Sequence, residues 1–443
     1  MNAPRSTVVW GIRYGLPGLV IRAAARRGDL IARSAVDPAV IADPALLFDD
    51  LRALGPVASN RLVSASAHHA VVNQVLRHES FGVDPGGAPT ATLSRLLAAA
   101  IDPRALGPVD VPSLLAVSAP QHTRLRKLVS HAFTPRAIAA YTDRIRDLAD
   151  ELLDRATHRA ARRGGDRFDL VADYAALLPV TVIAEIIGVP ADKRDDLLRI
   201  GNEAAQTLDP ALSWGAYRRA DAAIREGNSW IDEHVATLRR APGDDLLSEL
   251  VRVNQDGDRL SDEELRVNTL LLLGAGFETT SNLIGNAVAL LLDHPEQLAG
   301  LQADPSGWDN AVDEALRYDS PVQITVRVAR EDVEIAGQSI PAGRGMLLML
   351  GAANRDPAVF ADAERFDVTR TDARQHLAFS AGIHYCIGAQ LARLEASIAL
   401  RTLFERFPDL TLAAPGTRRR TRVLRGYAEL PVTTGALAGR GAA

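Results

Sequence analysis

Residues 261–295, SDEELRVNTLLLLGAGFETTSNLIGNAVALLLDHP, set the scale of anything this chain can fold into. Ser261 and Glu264 form a capping box, acids crowd the first turn, and His294-Pro295 closes the run. Nothing between those signals breaks a helix, so residues 262–292 predict one rod of roughly 46 Å, long enough to cross a whole protein. Its apolar residues run nearly all round, which predicts a buried helix. The middle breaks that rule, because Gly274-Ala275-Gly276 is followed by Glu278, Thr279 and Thr280. An interior glycine costs about 1 kcal/mol relative to alanine, and a buried carboxylate costs more unless it is paired or protonated. Two readings follow. Either the glycines serve close helix packing beside a satisfied acid, or they make room for a flat or small ligand to which Glu278 and Thr279 deliver protons.

Helical patterns dominate elsewhere. Residues 121–163 predict two helices broken at Thr134-Pro135, with further helices at 176–188 and 211–240. Strand-like stretches at 55–65, 322–350 and 418–433 are short and show no regular βαβ alternation. The fold class is therefore mainly α (α+β), a large helical body with small sheets. A net charge of −5 carries no global signature for nucleic acid. The cluster TRRRTR, residues 417–422, predicts a solvated hairpin beside Pro415-Gly416, and His68-His69 predicts a surface pair without companion metal ligands. At the N-terminus, Arg13 and Pro17 interrupt VVWGIRYGLPGLVIRAAARRGDL, so no segment approaches the ~20 apolar residues of a spanning helix. Residues 1–34 are read as an amphipathic extension packed on the body, the alternative being peripheral membrane contact through Trp10 and the arginines, and the protein is placed in the cytoplasm.

One cysteine, Cys386, stands in FSAGIHYCIGAQLAR, residues 379–393. A lone cysteine excludes intramolecular disulfides and multi-cysteine zinc sites. Packing, a nucleophile or a single axial ligand remain, and free cysteines are most often buried for packing. The neighbours point away from that default. A thiolate ahead of a helix beginning near Gly388 would be favoured by its N–H groups and dipole. Gly382 and Gly388 would leave the sulfur open to a wide planar group, with Phe379 against its lower face and His384 donating to an anion at its edge. No signature of a cysteine hydrolase surrounds it.

FSAGIHYCIGAQLAR resembles the haem-binding loop of the haem-thiolate monooxygenases, the cytochrome P450 family, whose pattern FxxGxxxCxG is matched by Phe379, Gly382, Cys386 and Gly388. AGFETT, residues 275–280, resembles that family's oxygen-binding groove; EALR carries its ExxR pair, Glu314 and Arg317; residues 352–366 resemble its meander. HTRLR, residues 122–126, is similar to the helix that meets the haem in the soluble bacterial branch. The resemblance spans about residues 35–433, so a single domain over 35–443 is expected rather than several.

The resemblance implies heme b held by Cys386 as metal ligand, with Ala275 and Gly276 against the cofactor and His122, Arg126, Arg327 and His384 donating to its propionates. Glu314 and Arg317 would form a buried network with Arg365 that braces the Cys386 loop, while Arg124 and Lys127 are expected on a solvated face. Glu278 and Thr279 would serve an enzyme that inserts one atom of O2 into a lipophilic small molecule. Electrons would come from a separate ferredoxin and ferredoxin reductase, docking near Arg374 and Arg393. The alternative is a haem-thiolate protein that binds a ligand, or uses peroxide, without NAD(P)H-driven turnover. The loop departs from the family pattern with Ser380 where glycine is common, the meander has Ala363 where proline is usual, and Gln121 stands where an acid often precedes the histidine. Residues 82–117 and 190–218 are expected to choose the substrate, GYAEL at 426–430 to line its chamber, and a monomer is expected.

Overall fold

The computed structural model describes residues 3–83, 101–252 and 260–435; much of 82–117 therefore lies outside the described residues. The central helix runs Asp262–Asp293, with both halves of the capping box made: Ser261 Oγ accepts from Glu264 N at 3.1 Å and Glu264 Oε2 accepts from Ser261 N at 2.9 Å. It is buried over most of its length, with helices Leu177–Ile187, Arg194–Ala205 and Trp214–Leu238 against it and helix Ala389–Arg406 on another face. Such a helix can bury every side only because neighbours cover every side.

The 121–163 region contains more breaks than expected. Gln121–Val129 passes through a 3-10 turn into Pro135–Ala139 and then the long helix Thr142–Arg162. The Thr134-Pro135 break is where the sequence puts it, with Thr134 capping Ala137 N. Helix Leu177–Ile187 ends at Gly188, whose φ of +89° is a left-handed stop. Three of four described sheets are small, and the five-stranded one orders as Ala58–Ser59, Ser64–Ser66, Gly345–Met349, Ile324–Ala329, Phe81–Gly82. Ser64–Ser66 runs parallel to Gly345–Met349 and the other pairs are antiparallel. In this sheet Arg327 is paired with Met346.

Two expectations from the polar residues fail. A hairpin does form from Thr417–Arg418 and Tyr427–Glu429, but of its arginines only Arg420 is exposed, while Arg418, Arg419, Arg422 and Arg425 turn inward. Arg418 and Arg425 both bind Asp319, at 2.9 and 2.5 Å, and Arg418 also bonds Asn286 and stacks over Tyr427. Arg422 is buried against the Ser34 carbonyl. The reason is that the long helix and the Asp319 turn leave buried acceptors that only long cationic side chains reach. His68 and His69 are not a surface pair either. His69 is buried, bonds the Gln375 carbonyl at 2.8 Å through Nε2 and meets Phe360 edge-on, while His68 bonds the Arg52 carbonyl at 3.1 Å. Among the described residues no helix is long and apolar enough to cross a membrane.

Candidate active site

The Cys386 loop is closed by its own backbone: Cys386 N donates to Phe379 O at 3.0 Å, and helix Ala389–Arg406 begins directly after Gly388. Gly382 cannot be replaced cheaply. Its φ is +68°, and a Cβ there would lie 2.4 Å from the Leu76 carbonyl. The sequence reading gave Gly382 to an approaching ligand; the structure shows that helix His69–Arg77 approaches it. At Gly388 nothing lies within 4 Å of a Cβ, so that glycine does leave open space beside the sulfur. Cys386 is a free cysteine with an exposed residue surface. Burial pushes its thiol up, while the Gly388 N–H, Arg126 and Arg393 pull the other way. The N–H at the helix start thus favours the thiolate as expected, against the opposing effect of burial, and a bound cation would add to it.

The middle of the central helix is unlike its ends. Ala275 is exposed and Thr279, one turn on, is half-buried, so this face is not covered by neighbouring elements. Thr279 Oγ1 donates to Ala275 O at 3.0 Å. Gly276 faces elsewhere: a Cβ there would meet Ile183 at 2.7 Å, so it serves close packing with helix Leu177–Ile187. Glu278 is buried, and its Oε2 lacks a hydrogen-bond partner among the described residues. Burial pushes its carboxyl up to about 7, Arg419 lowers it and Asp209 raises it further. Arg419, from the inward hairpin, brings Nη1 to 3.7 Å from Glu278 Oε1 and also donates to Asn202 Oδ1 and the Tyr427 carbonyl. Nothing in TRRRTR marks this one arginine as the partner of a distant acid. The GYAEL tip lies on the same helix further along, where a Cβ at Gly426 would strike Asn282.

Four nitrogen-bearing side chains converge from separate elements. His122 and Arg126 come from helix Gln121–Val129, Arg327 from the central sheet and His384 from the cysteine loop. The rings of His122 and His384 lie 4.1 Å apart. Burial, then Arg126 and Arg327, hold His122 down at about 4, so it is neutral at pH 7. Arg327 is buried and lowered to about 10, yet no carboxylate pairs with it among the described residues; its guanidinium reaches only Thr325, Val326 O and Ser380. Among the described residues Arg126 reaches only the Ile383 carbonyl, at 3.4 Å. A buried arginine without an acid is costly, so the donor set fits a ligand that brings its own carboxylates. Its neighbour Arg124 is not solvated as expected but pairs with Glu264.

Glu314 and Arg317 are fully buried and bidentate at 2.7 and 2.8 Å, and Arg317 also donates to the carbonyls of Asn354, Ala363 and Arg365. The expected third cation is a different residue. Arg365 contributes only its carbonyl, its side chain being 68% exposed, whereas Arg370 is buried and reaches Glu314 at 3.3 Å. Arg374 and Arg393 are both engaged by the buried Asp313, at 2.9 and 2.6 Å, with His376 Nε2 at 3.3 Å. Burial raises the Asp313 carboxyl, but hydrogen bonds from His376 and Arg393 and their charges outweigh it and hold it at about 2. Arg393 in turn lies over the Phe379 ring, 4.5 Å from its centre.

The family model for cytochrome P450 matches residues 110–304 and 308–417. The chain belongs to the cytochrome P450 family. It is similar to a putative cytochrome P450 140 of Mycobacterium tuberculosis, 45% identical over 429 residues that cover 96% of this chain and 97% of that one. It is also similar to 6-deoxyerythronolide B hydroxylase of Saccharopolyspora erythraea, 46% identical over 317 residues, covering 71% of this chain and 76% of that one. Among solved structures, Mycobacterium smegmatis CYP164A2 superposes with a TM-score of 0.81 at 36% identity, covering 91% of this chain and 99% of that one. As a cytochrome P450, the chain is a haem-dependent monooxygenase, an oxidoreductase whose cofactor is heme b.

Proposed function

We propose that this cytochrome P450 inserts one atom of O2 into a lipophilic small molecule, with electrons from a separate ferredoxin and its reductase, in the cytoplasm. The observation that carries the reading is the buried Arg327, which no carboxylate pairs among the described residues, grouped with Arg126 and the adjacent rings of His122 and His384, the latter two residues from the exposed Cys386. Cys386 would ligate the haem iron and the four donors would hold its two propionates. When bound, the haem supplies the metal that activates dioxygen, and thiolate ligation favours O–O cleavage.

The chain's own residues supply the rest. Glu278, balanced near 7, binds and releases a proton at neutral pH, which is what a relay group needs. Thr279 donates to Ala275 O and so leaves its oxygen lone pairs free on the uncovered face of the helix, where they can accept a proton or orient water. The name of the Saccharopolyspora relative, a hydroxylase of 6-deoxyerythronolide B, supports a lipophilic substrate. For electron delivery, Arg374 keeps most of its side chain exposed while Arg393 is committed to Asp313 and Phe379, so Arg374 is the better candidate to meet an acidic ferredoxin.

The test is reconstitution with ferredoxin, reductase and NAD(P)H, using lipophilic compounds that shift the haem from low to high spin. Product should match electrons consumed, and Thr279→Ala should keep the haem while diverting electrons to peroxide. If every spin-shifting compound yields only peroxide with the unaltered protein, the oxygenase reading is wrong.

A further inference from the structure

The N-terminal helices have two faces, and only one of them is used. Ala3–Trp10, a π-turn over Gly11–Gly15 and Leu16–Arg26 form a nearly continuous helical segment. Its inner face is fastened. Trp10 Nε1 donates to Leu212 O at 2.9 Å, Tyr14 donates through its hydroxyl to Thr207 O at 3.0 Å, and Arg13 meets Asp110 at 2.6 Å. Val9 and Tyr14 are buried with Leu212, Ala216 and Tyr217.

The outer face is apolar. Val8, Leu16, Leu19 and Val20 are 44, 58, 65 and 49% exposed. With the half-buried Ile12 and exposed Ala23 they follow helical spacing and form one stripe. Exposed Arg5 stands at one end of the stripe, and exposed Arg22, Arg26 and Arg27 at the other. The first acid in the chain is Asp29, so this segment is purely basic in a protein of net charge −5. Of the five arginines only Arg13 has an ion pair among the described residues. A single exposed leucine means nothing. Four turns of them, held rigidly outward and bracketed by unpaired arginines, match the pattern of a helix lying in a lipid interface.

We propose that this stripe seats the protein on an anionic lipid surface, the leucines and valines entering the acyl boundary and Arg5, Arg22, Arg26 and Arg27 meeting lipid phosphates. The charge pattern chooses the occupant. A second copy would bring the same arginines into opposition, whereas an anionic leaflet complements them. The inner face packs on residues 101–110 and 207–217, inside the two segments assigned to substrate choice, so adhesion would turn that part of the molecule toward the lipid. The adhesion rests on geometry and charge; its use in supplying a lipophilic substrate rests on the proposed function.

The experiment is co-sedimentation of the full-length holoprotein with vesicles of phosphatidylglycerol and phosphatidylcholine, against vesicles of phosphatidylcholine alone. The expected result is binding at least about tenfold stronger to the anionic vesicles and weakened by salt. Leu16→Glu/Leu19→Glu should abolish it, and Arg26→Glu/Arg27→Glu should reduce it at least about tenfold. The carbon monoxide spectrum should be the same in all of them. No sedimentation with anionic vesicles, or sedimentation indifferent to Leu16→Glu/Leu19→Glu, overturns the proposal. So does a dimer on size exclusion that these substitutions dissolve without any vesicle binding. Spectrum and turnover are read separately, so failure here leaves the oxygenase reading untouched.

Discussion

Replacing Glu278 by glutamine should make the protein more stable as pH rises, the reverse of what losing a buried charged residue usually does. Burial moves this carboxyl from its ordinary 4.5 to about 7. At about 1.36 kcal/mol per pH unit, the ionised form is disfavoured in the fold by about 3 kcal/mol. The sign follows from which state holds the proton more tightly. Below about pH 4.5 folded and unfolded chains both bind it, and the preference for the neutral acid is fully expressed. As pH rises toward and through 7, the folded protein keeps a proton that the unfolded chain has released, and stability falls. Glutamine has the same shape and does not titrate. Urea unfolding of wild type and Glu278→Gln, both haem-loaded, from roughly pH 5 to about 8.5 should show the variant gaining on wild type by up to about 3 kcal/mol across that range. Arg419→Gln should extend the decline to higher pH and enlarge it, because the Arg419 cation lowers the Glu278 carboxyl and removing it raises the proton affinity further. Parallel stability curves for wild type and Glu278→Gln would refute the assignment of Glu278 as a neutral, proton-holding acid.

Cys386→Ser should abolish the red-shifted carbon monoxide band of the reduced protein, and an unchanged band would remove Cys386 as the ligand. Arg370→Ala should cost about 1.5–3 kcal/mol, through its bonds to buried Glu314, whereas Arg365→Ala should stay within about 0.5 kcal/mol. Thermal unfolding separates the two, and equal effects would contradict the geometry. Ser380 has φ +62°, in the left-handed region, and bonds Arg327 only at 3.4 Å. Ser380→Gly should therefore stabilise the loop by up to about 1 kcal/mol, and a fall in melting temperature would show that the hydroxyl matters more than the backbone.

What the chain's order reveals and what it hides divide along a physical line. The central helix was legible to within a residue because its start, stop and periodicity are all local. The cysteine loop was legible because a short motif carries its own glycine and its own helix start. Partnerships across the chain were not. Arg365 lies in the meander and Arg370 just after it, and only packing decides that Arg370 turns in to Glu314. Arg124 and the hairpin arginines look like solvated charges in sequence; Glu264, Asp319 and Glu278 recruit them from more than 90 residues away. Gly276 and Gly382 were read as room for a ligand because glycine states only that something comes close, not what; here it is Ile183 and the Leu76 carbonyl.

The inward hairpin has a consequence for how the protein is made. Asp319 is buried, and two of its cations, Arg418 and Arg425, emerge from the ribosome roughly a hundred residues after it. Arg425 also grips the Ala42 carbonyl and Arg422 that of Ser34, so the same late segment stitches down one of the earliest. A nascent chain halted before Thr417 would hold a desolvated aspartate with both clasps missing and a loose beginning, and completion of translation is thus the step that locks the molecule shut.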